Sequence, residues 1–176
     1  MKEHQSKCIE LSLCKKMIED AIDLGSQRRC PNCGLTGVKD EGCTHMTCQR
    51  CSEKWCYFCG MMEYQCQVPD GHDLSLSAHN VDWHLMKTRC PMTLNSIHEI
   101  DPRWPDDETS CLEYFHKYHT LAELNRVYKI LGENTLDEIN RFFHIVDASG
   151  YTIEQIRDHE DGVLIEYPVQ STTETS

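Results

Sequence analysis

The chain has 176 residues, among them 12 Cys and 10 His, and its 17 Lys and Arg face 29 Asp and Glu, a net charge of −12 with His neutral. That length suits one ordinary domain, or a small metal-built unit joined to a helical one, and a hydrophobic content of 39% that includes the cysteines makes for a thin apolar core that needs another brace. An acidic balance repels phosphate backbones, so nucleic acid is excluded as the main ligand, and no run approaches the roughly 18–20 apolar residues that cross a bilayer.

Met1-Lys2-Glu3-His4-Gln5 leads into no apolar stretch of the secretory kind, so the expected location is intracellular, cytoplasmic or nuclear. Cysteines are reduced there, and spaced pairs of them read as metal ligands rather than disulfides. From Ser6 to Leu24, Leu11, Cys14, Ile18, Ala21 and Ile22 recur at three- and four-residue steps, which predicts an amphipathic helix. Gly25 is its expected stop, and Cys8 and Cys14 are ordinary helix residues.

Residues 28–60 hold most of the cysteines and little periodicity, as expected of loops and short strands built around metal. Cys30-Pro31-Asn32-Cys33 and Cys48-Gln49-Arg50-Cys51 are two knuckles that can close one tetrahedral zinc site. Gly34 is expected to let the backbone approach the sulfurs. Four thiolates leave no open coordination position, so this zinc is structural. Cys56-Tyr57-Phe58-Cys59 is a third knuckle that needs two further ligands. Cys66, His72, His79, His84 and Cys90 are available. The reading favours His79 and Cys90, because Arg89-Cys90-Pro91 has the form of a ligand at a turn.

Two such sites leave Cys43 unused. It sits in Gly42-Cys43-Thr44-His45-Met46, between the two pairs of the first site. A loop thiol held there is accessible to a reactant, Gly42 clears its approach, and His45 is close enough in sequence to take a proton from it or from an incoming nucleophile.

Beyond residue 60 the chain becomes strongly acidic, with 8 basic and 21 acidic residues. Pro69, Gly71, Pro91, Pro102 and Pro105 break residues 61–106 into loops. Four segments then have the form of helix-starting capping boxes: Ser110–Glu113, Thr120–Glu123, Thr135–Glu138 and Thr152–Gln155. Thr120 also fits inside one long helix from Ser110 to Leu131, with Gly132 as its cap. Val163-Leu164-Ile165 has the pattern of a short strand, and Gln170–Ser176 of a frayed tail. The expected fold is a small α+β chain: an N-terminal helix (1–27), a loop-rich bi-zinc module with short antiparallel strands (28–100), a mainly helical acidic segment (101–168) and a tail (169–176).

Taken together, Cys30-Pro31-Asn32-Cys33, Lys39-Asp40-Glu41-Gly42-Cys43-Thr44-His45-Met46-Thr47-Cys48 and Trp55-Cys56-Tyr57-Phe58-Cys59 resemble the catalytic domain (Rcat, or second RING) of RING-in-between-RING ubiquitin ligases. The resemblance covers about 30 residues and is far more specific than a bare pair of CxxC knuckles. It implies two structural zincs, the first on Cys30, Cys33, Cys48 and Cys51, the second begun by Cys56 and Cys59. It implies Cys43 as the nucleophile that takes ubiquitin as a thioester from a conjugating enzyme, and His45 as the base that deprotonates the acceptor lysine of a protein substrate. Where many members place an acidic residue directly before the last knuckle's aromatic, this chain has Lys54. No first RING precedes Cys30, so the expectation is a fragment, a chain that docks its conjugating enzyme through another surface, or one that has lost ligase activity. The competing reading is a non-catalytic zinc-binding adaptor of the same fold. A zinc-ribbon nucleic-acid binder is disfavoured by the charge and by the lack of a basic-aromatic stripe.

Overall fold

A computed structural model of the chain describes residues 2–39, 42–66, 90–99 and 101–160. In chain order the elements are helix α1 (Lys2–Ser26), strands β1 (His45–Thr47) and β2 (Lys54–Cys56), the single turn α2 (Glu63–Cys66), a 3-10 helix (Leu94–Glu99), and helices α3 (Glu108–Leu131), α4 (Glu133–Phe143), α5 (Ile145–Ala148) and α6 (Ile153–Arg157). The fold is the mixed α+β arrangement that the sequence predicts: two short antiparallel strands, cysteine clusters and a helical C-terminal region. Among the described residues no helix is long and apolar enough to cross a membrane. The Val163–Ile165 strand and the Gln170–Ser176 tail lie outside the described residues.

The chain divides into two compact units. One holds α1 and the chain from Phe115 to the end of α6; the other runs from Arg29 to Tyr114. The division falls inside α3.

In the helical unit, α1 packs on α4 and α5, and α4 on α6. Ile18, Leu121, Leu124, Leu136, Ile139, Val146 and Ile156 form its buried core. Apolar residues at three- and four-residue spacing bring these faces together, which is why the periodicity was legible. Buried Asn125 donates from Nδ2 to the Ile156 carbonyl at 2.7 Å, which satisfies a backbone acceptor in α6.

Helix boundaries differ from the sequence reading at Gly25, Ser110 and Thr135. Gly25 does not stop α1. It lies inside the helix, where a side chain would collide with the Thr120 backbone. α3 begins at Glu108, ahead of the expected Ser110, because Asp107 accepts the Ser110 amide at 2.8 Å and acts as the cap. Thr120 lies within that single helix, buried. Thr135 also lies inside a helix, because Gly132 takes a positive φ of 80° and α4 starts directly after it. The box at Thr152 forms as its sequence predicts: Thr152 Oγ1 accepts the Gln155 amide, and Gln155 reaches back to the Thr152 amide.

In the other unit, β1 and β2 pair with His45 opposite Cys56, Met46 opposite Trp55 and Thr47 opposite Lys54. Trp55 is buried and packs near Tyr57, with ring centroids 5.8 Å apart. Gly37 lies under it, since a β-carbon there would meet the indole at 2.6 Å. The start of α3 adds a second cluster. Trp104 stacks edge-on against Tyr114 at 4.6 Å, and its Nε1 donates to the Cys111 sulfur at 3.1 Å.

Candidate metal centres and the Cys43 loop

Three cysteine knuckles share one backbone design. The first cysteine's carbonyl accepts the amide four residues on, and its own amide donates to the carbonyl five residues on. In Cys30 the partners are Gly34 at 2.9 Å and Leu35 at 2.8 Å; in Cys48, Ser52 and Glu53, both at 2.9 Å; in Cys56, Gly60 and Met61, both at 2.8 Å. The fourth position needs a left-handed backbone, and Gly34, Ser52 and Gly60 have φ of 75°, 61° and 74°. Gly34 is therefore favoured by its dihedral. A β-carbon there would meet nothing within 4 Å, so close approach to the sulfurs is not its role.

These turns gather the thiols into two sets of four. Cys30, Cys33, Cys48 and Cys51 form one; Cys56, Cys59, Cys66 and Cys90 form the other. In each set all sulfurs lie within 4.8 Å of one another. A tetrahedral zinc with Zn–S bonds of about 2.3 Å holds neighbouring sulfurs about 3.8 Å apart. In the first set Cys30 and Cys51 are separated by 3.7 Å, and Cys33 and Cys48 by 3.5 Å. The donor sets suit two zinc ions, as the sequence predicts. Four thiolates close the coordination sphere, which is the chemistry of a structural site.

Backbone amides also favour the thiolate form the metal requires. The Cys48 thiol is drawn down to about 6, chiefly by the Cys51 amide. In the second set the Cys59, Cys66 and Cys90 thiols hydrogen-bond to Cys56 and pull it below the usual thiol range. Cys66 and Cys90 are pushed up by the same sharing of protons.

In the second set the thiols that join Cys56 and Cys59 are those of Cys90 and of Cys66, at the end of α2. His79, which was favoured there, lies outside the described residues, as do His72 and His84. Cys66 stood among the possible ligands. The single turn after Gly60 that carries it back to the knuckle has no distinctive sequence pattern.

Cys43 belongs to neither set. It is half-buried, and its sulfur accepts the His45 amide at 3.4 Å. The next residue anchors the loop. Thr44 is fully buried; its amide donates to the Met92 carbonyl at 2.8 Å, its hydroxyl to the Pro91 carbonyl at 2.6 Å, and its own carbonyl accepts the Tyr57 amide at 2.8 Å. The loop is thus tied to the residues that follow Cys90 and to the third knuckle. His45 lies opposite Cys56 in the strand pair, and its Nδ1 is 3.6 Å from Glu63 Oε1. Glu63 carries no signal in the sequence that would have marked it. Cys111 is a different kind of thiol: burial pushes it up to about 12, and it donates to the Pro105 carbonyl at 3.1 Å. That is a packed structural sulfur.

Part of the chain is similar to curated ubiquitin ligases. Over 62 residues it is 32% identical to the E3 ubiquitin-protein ligase RNF217 of Mus musculus, a match that covers 35% of this chain and 12% of that protein. It is 30% identical over 82 residues to the E3 ubiquitin-protein ligase RNF144A of Homo sapiens, covering 43% of this chain and 27% of the relative. A shorter match, 50% identical over 32 residues, is to Cullin-9 of Mus musculus, covering 18% of this chain and 1% of that protein. The chain thus spans only a small part of these relatives' length. No protein-family model matches it.

Proposed function

We propose that this chain is a ubiquitin-transferring module of the RING-in-between-RING type, with Cys43 as the acceptor. The observation that carries this reading is that both four-thiol sets are complete without Cys43, while the buried Thr44 anchors the loop beside it. The similarity to E3 ubiquitin-protein ligases supports the same class of chemistry.

In this mechanism the Cys43 sulfur attacks the carbonyl carbon of ubiquitin's C-terminus on a charged conjugating enzyme. The new thioester forms as the conjugating enzyme's thiolate leaves. A lysine amine of the protein substrate then attacks the Cys43 thioester, the Cys43 thiolate leaves, and His45 takes the amine's proton. One difficult acyl transfer is replaced by two easier ones. The two four-thiol sets would each hold a structural zinc with no open coordination position, which would fix the loop geometry without entering the acyl chemistry.

One observation favours a second reading, a zinc-built adaptor that binds protein without catalysis. The His45 Nδ1 lies 3.6 Å from Glu63 Oε1, an arrangement that also serves a purely structural histidine.

A charging assay separates the two. Wild-type chain mixed with a charged conjugating enzyme is expected to form a reductant-sensitive ubiquitin adduct. Cys43→Ser is expected to give a reductant-resistant oxyester or no adduct. Equal charging of Cys43→Ala and wild type overturns the assignment.

A further inference from the structure

We propose that Lys39 and Glu108 are positioning residues for the Cys43 loop, acting as one buried charge pair. The inference rests on Cys43 as the acceptor and adds to that reading the element that holds its loop.

The Lys39 side chain is wholly buried and that of Glu108 is 11% exposed; Nζ and Oε1 are 3.0 Å apart. The Lys39 ammonium also donates to the Gly42 carbonyl at 2.6 Å. Gly42 immediately precedes Cys43. The Glu108 carboxylate accepts two backbone amides as well, Leu94 at 3.1 Å and Asn95 at 2.9 Å. Those amides open the 3-10 helix, and Glu108 opens α3. Cys43 is therefore bracketed. On one side Gly42 is held through Lys39 to the first residue of α3. On the other, Thr44 is held to Pro91 and Met92.

A buried ion pair is an expensive way to add stability, since apolar residues of the same volume serve as well or better. Its distinctive effect is directional: an ammonium aimed at one carbonyl and a carboxylate aimed at two amides define a single loop geometry. Acyl transfer needs that geometry, because the attacking sulfur must reach near-contact with the carbonyl carbon along one approach. Glu108, far from the cysteine motif in sequence, thereby helps to set where the motif's nucleophile sits.

The test uses the full zinc-loaded chain with Lys39→Met, Glu108→Gln, the double variant and Lys39→Arg. Amide exchange is read peptide by peptide, together with zinc content and the rate of the reductant-sensitive ubiquitin adduct. Lys39→Met and Glu108→Gln are each expected to raise exchange at residues 42–47 about tenfold or more. Each is expected to slow adduct formation about 10- to 100-fold. Two zincs are retained, and exchange in the Cys30 and Cys48 knuckles is unchanged. The double variant is expected to be little worse than either single one, and Lys39→Arg to recover most of the rate. Wild-type exchange and loading in both single variants overturns the proposal. So does loss of zinc, or a uniform rise in exchange across the unit, in both, because the pair is then a folding element. Undiminished charging of Cys43→Ala overturns the acceptor reading and with it the catalytic use of the pair. The exchange measurement decides separately whether the pair holds the loop.

Discussion

The Thr44 hydroxyl donates to the Pro91 carbonyl at 2.6 Å, with both residues buried, and so joins the residue after Cys43 to the residue after a ligand of the second thiol set. Thr44→Val keeps the shape but leaves that carbonyl without its donor. The expected loss is about 1–3 kcal/mol, read by urea unfolding of the zinc-loaded chain. Thr44→Ser is expected to retain most of the stability. A Val variant as stable as wild type would mean the bond contributes nothing to the loop.

The composition of the second set is decided by metal counting. Native mass spectrometry of Cys66→Ser is expected to find one zinc where wild type holds two, and His79→Ala to keep both. The reverse pattern would return the fourth place to the histidine.

Ser52 occupies the left-handed position that glycine fills in the other two knuckles. That backbone costs a residue with a β-carbon roughly 1–2 kcal/mol, partly offset in the unfolded chain by the greater freedom of glycine. Ser52→Gly is therefore expected to raise stability by about 0.5–1 kcal/mol, measured as a higher urea midpoint and slower zinc loss to a chelator.

Gly25 tests helix packing with a sign. In an exposed helix interior Gly→Ala stabilises by about 1 kcal/mol. Here the added carbon would lie 2.5 Å from the Thr120 amide nitrogen, against backbone that cannot swing away. Gly25→Ala is expected to destabilise by about 1–3 kcal/mol, read as a lower thermal midpoint.

His119 gives the helical unit a pH dependence. Burial, reinforced by Arg28, holds its imidazole down to about 3, and Arg28 Nη2 donates to its Nε2 at 3.0 Å. The folded state therefore keeps the ring neutral, while the unfolded chain takes up a proton near pH 6.5. Stability is full above that pH. It falls as pH drops from about 6.5 toward 3, by at most about 1.4 kcal/mol per unit. His119→Gln keeps an acceptor for Arg28 and cannot be protonated, so its unfolding midpoint is expected to fall less steeply than wild type between pH 7 and 4.5. Acid release of zinc is common to both proteins and drops out of the difference.

The parts legible in the sequence are those whose chemistry is local. A CxxC knuckle closes its hydrogen bonds within six residues, so Cys30, Cys48 and Cys56 announced their turns. Thr152 and Gln155 announced their cap, and Gly132 the break between α3 and α4. The apolar residues of α1 likewise marked its buried face through spacing alone. Capping boxes misled at Ser110 and Thr135, because Asp107 and Gly132 offered better starts a few residues earlier.

The amino-acid order by itself determined the three knuckles, the helices and a cysteine left over between ligand pairs, because neighbours on the chain need almost no loop closure to meet. Only tertiary structure decided that Cys66 completes the second set, that Gly25 makes room for Thr120, and that Lys39 meets Glu108. Each of these depends on where a distant segment packs, and no local pattern marks the partner in advance.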